Sequence, residues 1–219
     1  MENYRPLVGT RLEDLDTPCL LLYLDAVEHN FRVMADTYKD TSCKLRAHTK
    51  NVKAPILAHT QIRTGGTVGG VCTAKVSEAE VMVEGGINDI LIANQVVTKD
   101  KIARLCALAR RADMKVCVDN ADNIRDLSEM AKTHGVIVGL LIEVDTSLRR
   151  AGIRNVEEGV KLAKLAHSLP GVKFQGVMSH QHVDEQFGRE NRLLEARKYI
   201  QMCLDVKDAI EAAGIPVEI

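Results

Sequence analysis

The sequence has no tryptophan, three phenylalanines and four tyrosines, so aromatic residues make up only 3% of it. That scarcity removes the stacking platforms on which proteins lay single-stranded nucleic acid. There is no excess of either charge: 29 basic residues stand against 30 acidic ones. The basic face needed to hold a phosphate backbone is therefore not expected. No stretch approaches the roughly 18 uninterrupted apolar residues that cross a bilayer. Residues 1–5 are polar and lack the apolar segment of a secretory signal. Together these absences predict a cytoplasmic protein with neither a nucleic acid nor a membrane as partner.

Close-spaced metal-ligand pairs are missing too. The six cysteines (Cys19, Cys43, Cys72, Cys106, Cys117 and Cys203) are scattered, with no CxxC among them. They read as free, mostly buried thiols and not as a zinc site. The glycine signatures of nucleotide binding are absent as well. Gly65-Gly66 and Gly69-Gly70 surround a strand start without matching GxGxxG or GxxxxGK[ST].

What the chain does contain is a regular alternation of short apolar runs with longer amphipathic ones. The apolar runs lie at 19–24, 44–50, 68–73, 89–94, 115–119, 138–145 and 173–180. Several are continuously apolar, as parallel strands covered on both faces are. Helical patterns follow at 25–39, from Ser77, at 98–111, and near 120–134, 155–168 and 185–213. The tail, 214–219, reads as a turn into an eighth strand. Eight such units close a (β/α)8 TIM-type barrel. The expectation is a single domain over residues 1–219, an α/β barrel incomplete at its eighth strand because an unclosed barrel leaves two edges unpaired. An open doubly wound sheet is the alternative; it would show a reversal in strand order.

In such barrels the chemistry sits where the strands end at their C-terminal side. Polar residues end four of the runs: His48-Thr49-Lys50, Asn94-Gln95, Asp145 with Arg149 and Arg150, and Ser179-His180-Gln181-His182. A lysine, an arginine and one or two histidines around a barrel mouth suit an anion or a carbonyl group. A half-buried Lys50 would have a lowered pKa and an amine free to attack a carbonyl. Alternatively it begins the next helix on the solvent side, together with Lys53. Asp145 reads either as a base or, preferably, as a loop cap holding Arg149 or Arg150. Asn94 and Gln95 could line a site or form a turn. His180 and His182, spaced i, i+2, could share a strand face, although a turn would cancel that spacing. Arg110 and Arg111, with Lys101 and Arg104, read as a solvated helix face.

Several segments also resemble a known family. The Asp16-Thr17-Pro18-Cys19-Leu20 entry, with Asp25 and Asn30, is similar to the first strand of the D-threonine aldolase and D-serine dehydratase group. That group is related to alanine racemase through the fold-type III pyridoxal-phosphate barrel. The segment from Leu45 through Arg46, His48 and Lys50 to Lys53 resembles the family's Arg-Pro-His-x-Lys-x-His-Lys block, with Ala47 and Val52 in place of its Pro and second His. Segments 71–80 and 86–94 resemble the next two blocks. Glu143-Val144-Asp145 through Arg150-Ala151-Gly152-Ile153 resembles Asp-x-Gly-x-x-Arg-x-Gly, with Ser147 replacing the glycine.

The resemblance implies pyridoxal 5'-phosphate as cofactor, with Lys50 holding it covalently and moving the proton at the substrate Cα. Arg150 would reach the phenolic oxygen and His180 would lie against the ring, with Arg46, His48 and Asn94 lining the same mouth. The implied activity is that of a lyase acting on β-hydroxy-D-amino acids, by retro-aldol cleavage to glycine and an aldehyde. β-Elimination of water, or cofactor binding without turnover, are the alternatives. The resemblance further implies a homodimer, a phosphate-binding loop beyond residue 219, and a second β domain holding a divalent metal. None of the metal ligands is expected within this chain.

Overall fold

The computed structural model describes residues 5–184, 186 and 188–219. Six of the apolar runs become strands: β1 (Leu45–His48), β2 (Thr67–Thr73), β3 (Asp89–Ile92), β4 (Asp113–Val118), β5 (Val138–Glu143) and β6 (Val172–Met178). All neighbouring pairs are parallel and the order is sequential, β1-β2-β3-β4-β5-β6. With no reversal there is no doubly wound sheet. This is the arc of a (β/α) barrel, each crossover occupied by a helix.

Because successive side chains alternate sides, each strand serves two environments. Ile90, Ile92, Val116, Val118, Leu140 and Ile142 join the main core against the helices. Leu91, Cys117 and Leu141 form a smaller cluster on the other, concave side, with Cys72, Ala93 and Met178 packed on it. Every residue of β5 is buried, which explains why that run shows no alternation in the sequence.

The helices are α1 (Leu24–Tyr38), α2 (Pro55–Thr64), α3 (Val76–Glu84), α4 (Lys99–Leu108), α5 (Ala121–His134), α6 (Val156–Ser168) and α7 (Gly188–Ala212). Asn120 caps α5 by accepting from the Asp122 and Asn123 N–H groups, and Asn155 caps α6 by accepting from Glu158. The expected cap at the start of α3 takes another form: Glu78 reaches back and accepts from the Ala74 N–H at 2.8 Å. Arg104 on α4 is not merely solvated, since it grips Glu80 of α3 through two hydrogen bonds of 2.7 and 2.6 Å. The expected helix start at Glu185 lies outside the described residues, as do positions 1–4 of the polar lead-in.

Two elements depart from expectation. Residues 19–23 form no strand. Leu20, Leu21, Leu22 and Tyr23 are exposed, and the α1 helix after them buries no residue. Among the described residues no strand pairs with them, so apolar composition alone does not make them a strand. The helix after Lys50, α2, begins later than Lys50 or Lys53: it lacks an acidic first turn, and its start and stop are set by Pro55 and Gly65. At the other edge, the tail runs along β6 as an incipient strand. Glu218 and Ile219 donate their N–H groups to the Gln175 carbonyl at 2.8 and 2.9 Å, and Val177 donates to Ile219 at 3.0 Å.

The end of the sheet where the strands begin is closed by charge. Asp89 accepts two bonds from Arg46, at 2.8 and 2.9 Å, and one from Lys115 at 2.8 Å. Lys115, 3% exposed, also bonds Asp113 at 2.6 Å. Two glycines make the space: a Cβ on Gly70 would meet Arg46 and Asp89 at 2.5 Å, and one on Gly139 would collide with Gln175 and Lys115.

Candidate active site

At the opposite end, where the strands finish, the sequence-predicted residues gather unevenly. Strand β1 ends at His48, and Thr49 then locks the chain to β2. Both its N–H and its hydroxyl donate to the Cys72 carbonyl, at 2.9 and 3.1 Å. Thr49 is buried, whereas Lys50 lies exposed in the turn that follows. The half-buried amine expected from sequence is therefore open to solvent here. Lys53 follows with φ of 48° and places its ammonium 3.6 Å from Glu78.

His48 reports what surrounds it. Loss of hydration and then the Lys50 charge hold its imidazole below the ordinary histidine range, with a further push from His180. Glu78 acts the other way. Charges from three segments of the chain, ending β1, opening α3 and following β6, thus act on one imidazole.

The loop after β5 is built to present Arg150. Asp145 accepts from the Arg149 N–H at 2.9 Å and from Arg154 Nε at 3.0 Å. Burial pushes its carboxyl up, but Arg154 and the loop's N–H groups outweigh that and hold it below the usual range. The cap reading of Asp145 is the one the structure supports, with Arg154 as the side-chain partner. Gly152, at φ of 101°, lets the returning chain pass where a Cβ would sit 2.6 Å from the Asp145 nitrogen. Its own N–H donates to Asp119 at 2.8 Å. The loop carrying His180 packs on this one: the His182 N–H donates to the Ser147 hydroxyl at 3.0 Å.

Beneath Arg150 lies a residue that sequence reasoning had not singled out. Glu143 ends β5 and is 2% exposed. Its Oε2 accepts from Gln95 Nε2 at 2.6 Å, and its Oε1 lies 3.5 Å from an Arg150 guanidinium nitrogen. The available signal was a lone carboxylate closing an otherwise apolar run. Gln95 therefore faces this group. Asn94 lines a cleft of about 250 Å³ together with Lys75, Ser77 and Lys101. Arg46 does not join the others; it belongs to the Asp89 cluster at the far end of the sheet.

Do these groups suit a pyridoxal cofactor? A primary amine, a guanidinium and two imidazoles at one mouth match its carbonyl carbon, phenolic oxygen and ring. Two buried hydroxyls at this end of the sheet have no hydrogen-bond partner: Thr146 Oγ1 in the loop after β5, and Thr73 Oγ1, which ends β2 on the same side as the core residue Val71. Polar atoms left unpaired in this way mark a place for an additional group. Among the described residues, no cluster of three or more His, Cys, Asp or Glu could hold a metal ion.

The chain is similar to several known proteins. A 3-hydroxy-D-aspartate aldolase of Paracoccus denitrificans (strain Pd 1222) is 39% identical over 217 residues, 97% of this chain and 55% of that protein. A D-threonine aldolase of Arthrobacter sp is 36% identical, over 94% of this chain and 54% of that protein. The crystal structure of D-threonine aldolase from Filomicrobium marinum superposes with a TM-score of 0.89 at 39% identity, covering 94% of this chain and 56% of that one. The chain thus spans about half the length of the curated relatives it matches. The family described as alanine racemase, N-terminal domain, matches residues 22–219. By that match, and by a parallel sheet whose candidate groups collect where its strands end, the chain belongs to the alanine racemase N-terminal domain family.

Proposed function

We propose that this chain forms the cofactor barrel of a pyridoxal-phosphate-dependent lyase that cleaves β-hydroxy-D-amino acids to glycine and an aldehyde. The observation that carries the reading is the buried Glu143, held by Gln95 and paired with Arg150, at the end of the sheet where β1 delivers His48 and Lys50. The aldolase names of the two relatives above support the choice of reaction.

Bound pyridoxal phosphate supplies an electron sink for the pair released when a bond to Cα breaks. The protein's own residues do the rest. Lys50 holds the carbonyl carbon and exchanges the proton at Cα. Its exposed place in a turn leaves the amine free to swing between the two tasks. His48, whose pKa is held below the ordinary histidine range by lost hydration and then by the Lys50 charge, offers an imidazole that can accept a proton. Arg150 places a fixed positive charge beside the phenolic oxygen. His180 covers one face of the ring. Asn94 and Gln95 border the opening. In the cleavage itself the Cα–Cβ bond breaks, the β-hydroxyl gives up its proton as the aldehyde carbonyl forms, and Cα regains a proton to become glycine. The reading extends to a homodimer, supported by the exposed apolar side chains at 20–24.

The test is an absorbance spectrum with pyridoxal phosphate before and after borohydride, followed by peptide mapping. A visible band fixed irreversibly onto Lys50, and absent in Lys50→Ala, is expected. A band that survives Lys50→Ala refutes the assignment. Product analysis separates the reactions: glycine plus aldehyde means cleavage, and a 2-oxo acid plus ammonia means dehydration.

A further inference from the structure

A guanidinium can act on a neighbouring group only if it is held still, and Arg150 has little besides Glu143 to hold it. Its side chain is 48% exposed, and an arginine free to sample solvent keeps most of its rotamer freedom. Glu143 is the opposite case. Its side chain is 2% exposed at the end of a wholly buried strand, so its position is fixed by the sheet. A buried carboxylate is costly unless its oxygens are occupied. Here one oxygen is taken by Gln95 at 2.6 Å and the other lies 3.5 Å from Arg150. Gln95 follows β3 and Glu143 ends β5, so the pair bridges across the intervening strand on the concave side of the sheet.

We infer that Glu143, locked by Gln95, is the positioning residue for Arg150, fixing the direction in which the guanidinium meets the pyridoxal ring. The inference rests on the cofactor reading above. The division of labour follows from burial. Glu143 lies too deep to be the group that meets the ligand, and Arg150 is too mobile to orient itself. Gln95 is the neutral donor that prevents the carboxylate from turning away. Gln95 suits this better than a second cation would, because a cation there would compete with Arg150 for the same charge.

Two readouts test it, one without cofactor. In nitrogen-15 NMR spectra of the cofactor-free chain, the Arg150 guanidinium signals are assigned by their loss in R150Q. They should be protected from exchange in the wild type and resemble free arginine in E143Q. The substitution keeps the shape and the Gln95 contact but removes the charge. In the pyridoxal-phosphate complex, the pH midpoint of the visible band is measured for wild type, E143Q, R150Q and the double variant. Moving a cation away from an ionising group shifts such a midpoint by roughly one unit or more. E143Q should reproduce at least half of the R150Q shift, and the double variant should shift no further than R150Q alone. Should E143Q not fold, Gln95→Leu, at a partly exposed position, carries the same test with the same expected direction.

Unchanged Arg150 signals in E143Q overturn the proposal. So do midpoint shifts that add in the double variant, which would mean the two residues act separately. If the wild type binds no pyridoxal phosphate, the cofactor reading itself fails. The NMR result then reduces Glu143 and Arg150 to an ordinary structural pair, and the positioning role is overturned with it.

Discussion

Replacing Asp89 by asparagine should unfold this protein more easily than any other single isosteric change at the charged end of the sheet. The carboxylate holds Arg46 by two bonds and Lys115 by one. The amide keeps the shape but turns an NH2 toward two cations that can only donate. Lys115 is the exposed nerve of the arrangement, for its side chain is 4% exposed and its remaining partner, Asp113, is 62% exposed. Removing one member of a buried ion pair costs about 3–5 kcal/mol. The 27% exposure of Asp89 and the surviving Asp113 contact lower that to about 2–3 kcal/mol in the same framework. For a chain of this size that is a fall in Tm of roughly 4–12 °C.

The pH dependence has a definite sign. Burial pushes the Asp89 carboxyl up, but its bonds to Arg46 and Lys115 outweigh this and hold it below the usual range. A carboxyl depressed in the folded state contributes stability that is fully present above its unfolded pKa of about 3.9. That contribution is lost as pH falls through the lower, folded value. Urea or thermal unfolding of wild type and D89N between pH 7 and pH 3 should show a gap that is constant at the top and closes toward the bottom. A Tm for D89N within 1 °C of wild type at pH 7 (roughly 0.3 kcal/mol), or a gap that widens in acid, would refute the reasoning.

Other outcomes follow from single features. Lys50→Ala should change unfolding free energy by less than about 0.5 kcal/mol, because the residue is exposed in a turn, while abolishing borohydride labelling. Ellman's reagent should modify the exposed Cys19 and Cys43 quickly in the native state and leave Cys106, Cys117 and Cys203 until unfolding. Burial raises the Cys117 thiol far above its ordinary range, so little thiolate exists to react; fast native labelling there would sink this. Asn155→Ala should cost about 1 kcal/mol by freeing the Glu158 N–H at the start of α6, measured by urea unfolding. Gly139→Ala should cost about 1–3 kcal/mol, since its methyl group would collide with Gln175 and Lys115; a variant as stable as wild type contradicts the close packing.

The six strands were legible because each is an apolar run with a distinct beginning and end, and their sequential order followed from the helices between them. The segment at 19–23 misled for a physical reason. Strand formation needs a partner edge, and Leu20, Leu21 and Leu22 carry the composition without finding one. The bounds of α2 were illegible because Pro55 and Gly65 look like loop residues until they are seen at its two ends. At the site, Lys50, His48, Arg150 and His180 could be named from strand-end position and resemblance. Glu143 could not. What distinguishes it is a contact with Gln95, 48 residues away, and no local pattern carries that information. Arg46 shows the converse. A sequence block ties it to Lys50, but a strand alternates and rises about 3.3 Å per residue, so Arg46 shares a side with His48 yet sits two residues below it.

That spacing divides the concave side of the sheet into three levels. β4 and β5 show the levels: charge, or room for it, low down, an apolar group in the middle and a carboxylate at the mouth. On β5 these are Gly139, which leaves room for Lys115, then Leu141, then Glu143. On β4 they are Lys115, Cys117 and, just past the strand, Asp119. The middle level is the cluster of Leu91, Cys117 and Leu141. On β4 it separates Lys115 from Asp119 by four residues of strand, or roughly 13 Å, with apolar side chains packed between those levels. Charge at the low end therefore belongs to the fold, and charge at the mouth faces the site proposed for the cofactor, with little exchange between them. The consequence is a double dissociation. D89N should lower Tm and leave the pH midpoint of the bound cofactor where it is, whereas E143Q should move the midpoint. If D89N shifts that midpoint as far as E143Q does, the apolar level does not insulate, and the two ends of the sheet form one electrostatic unit.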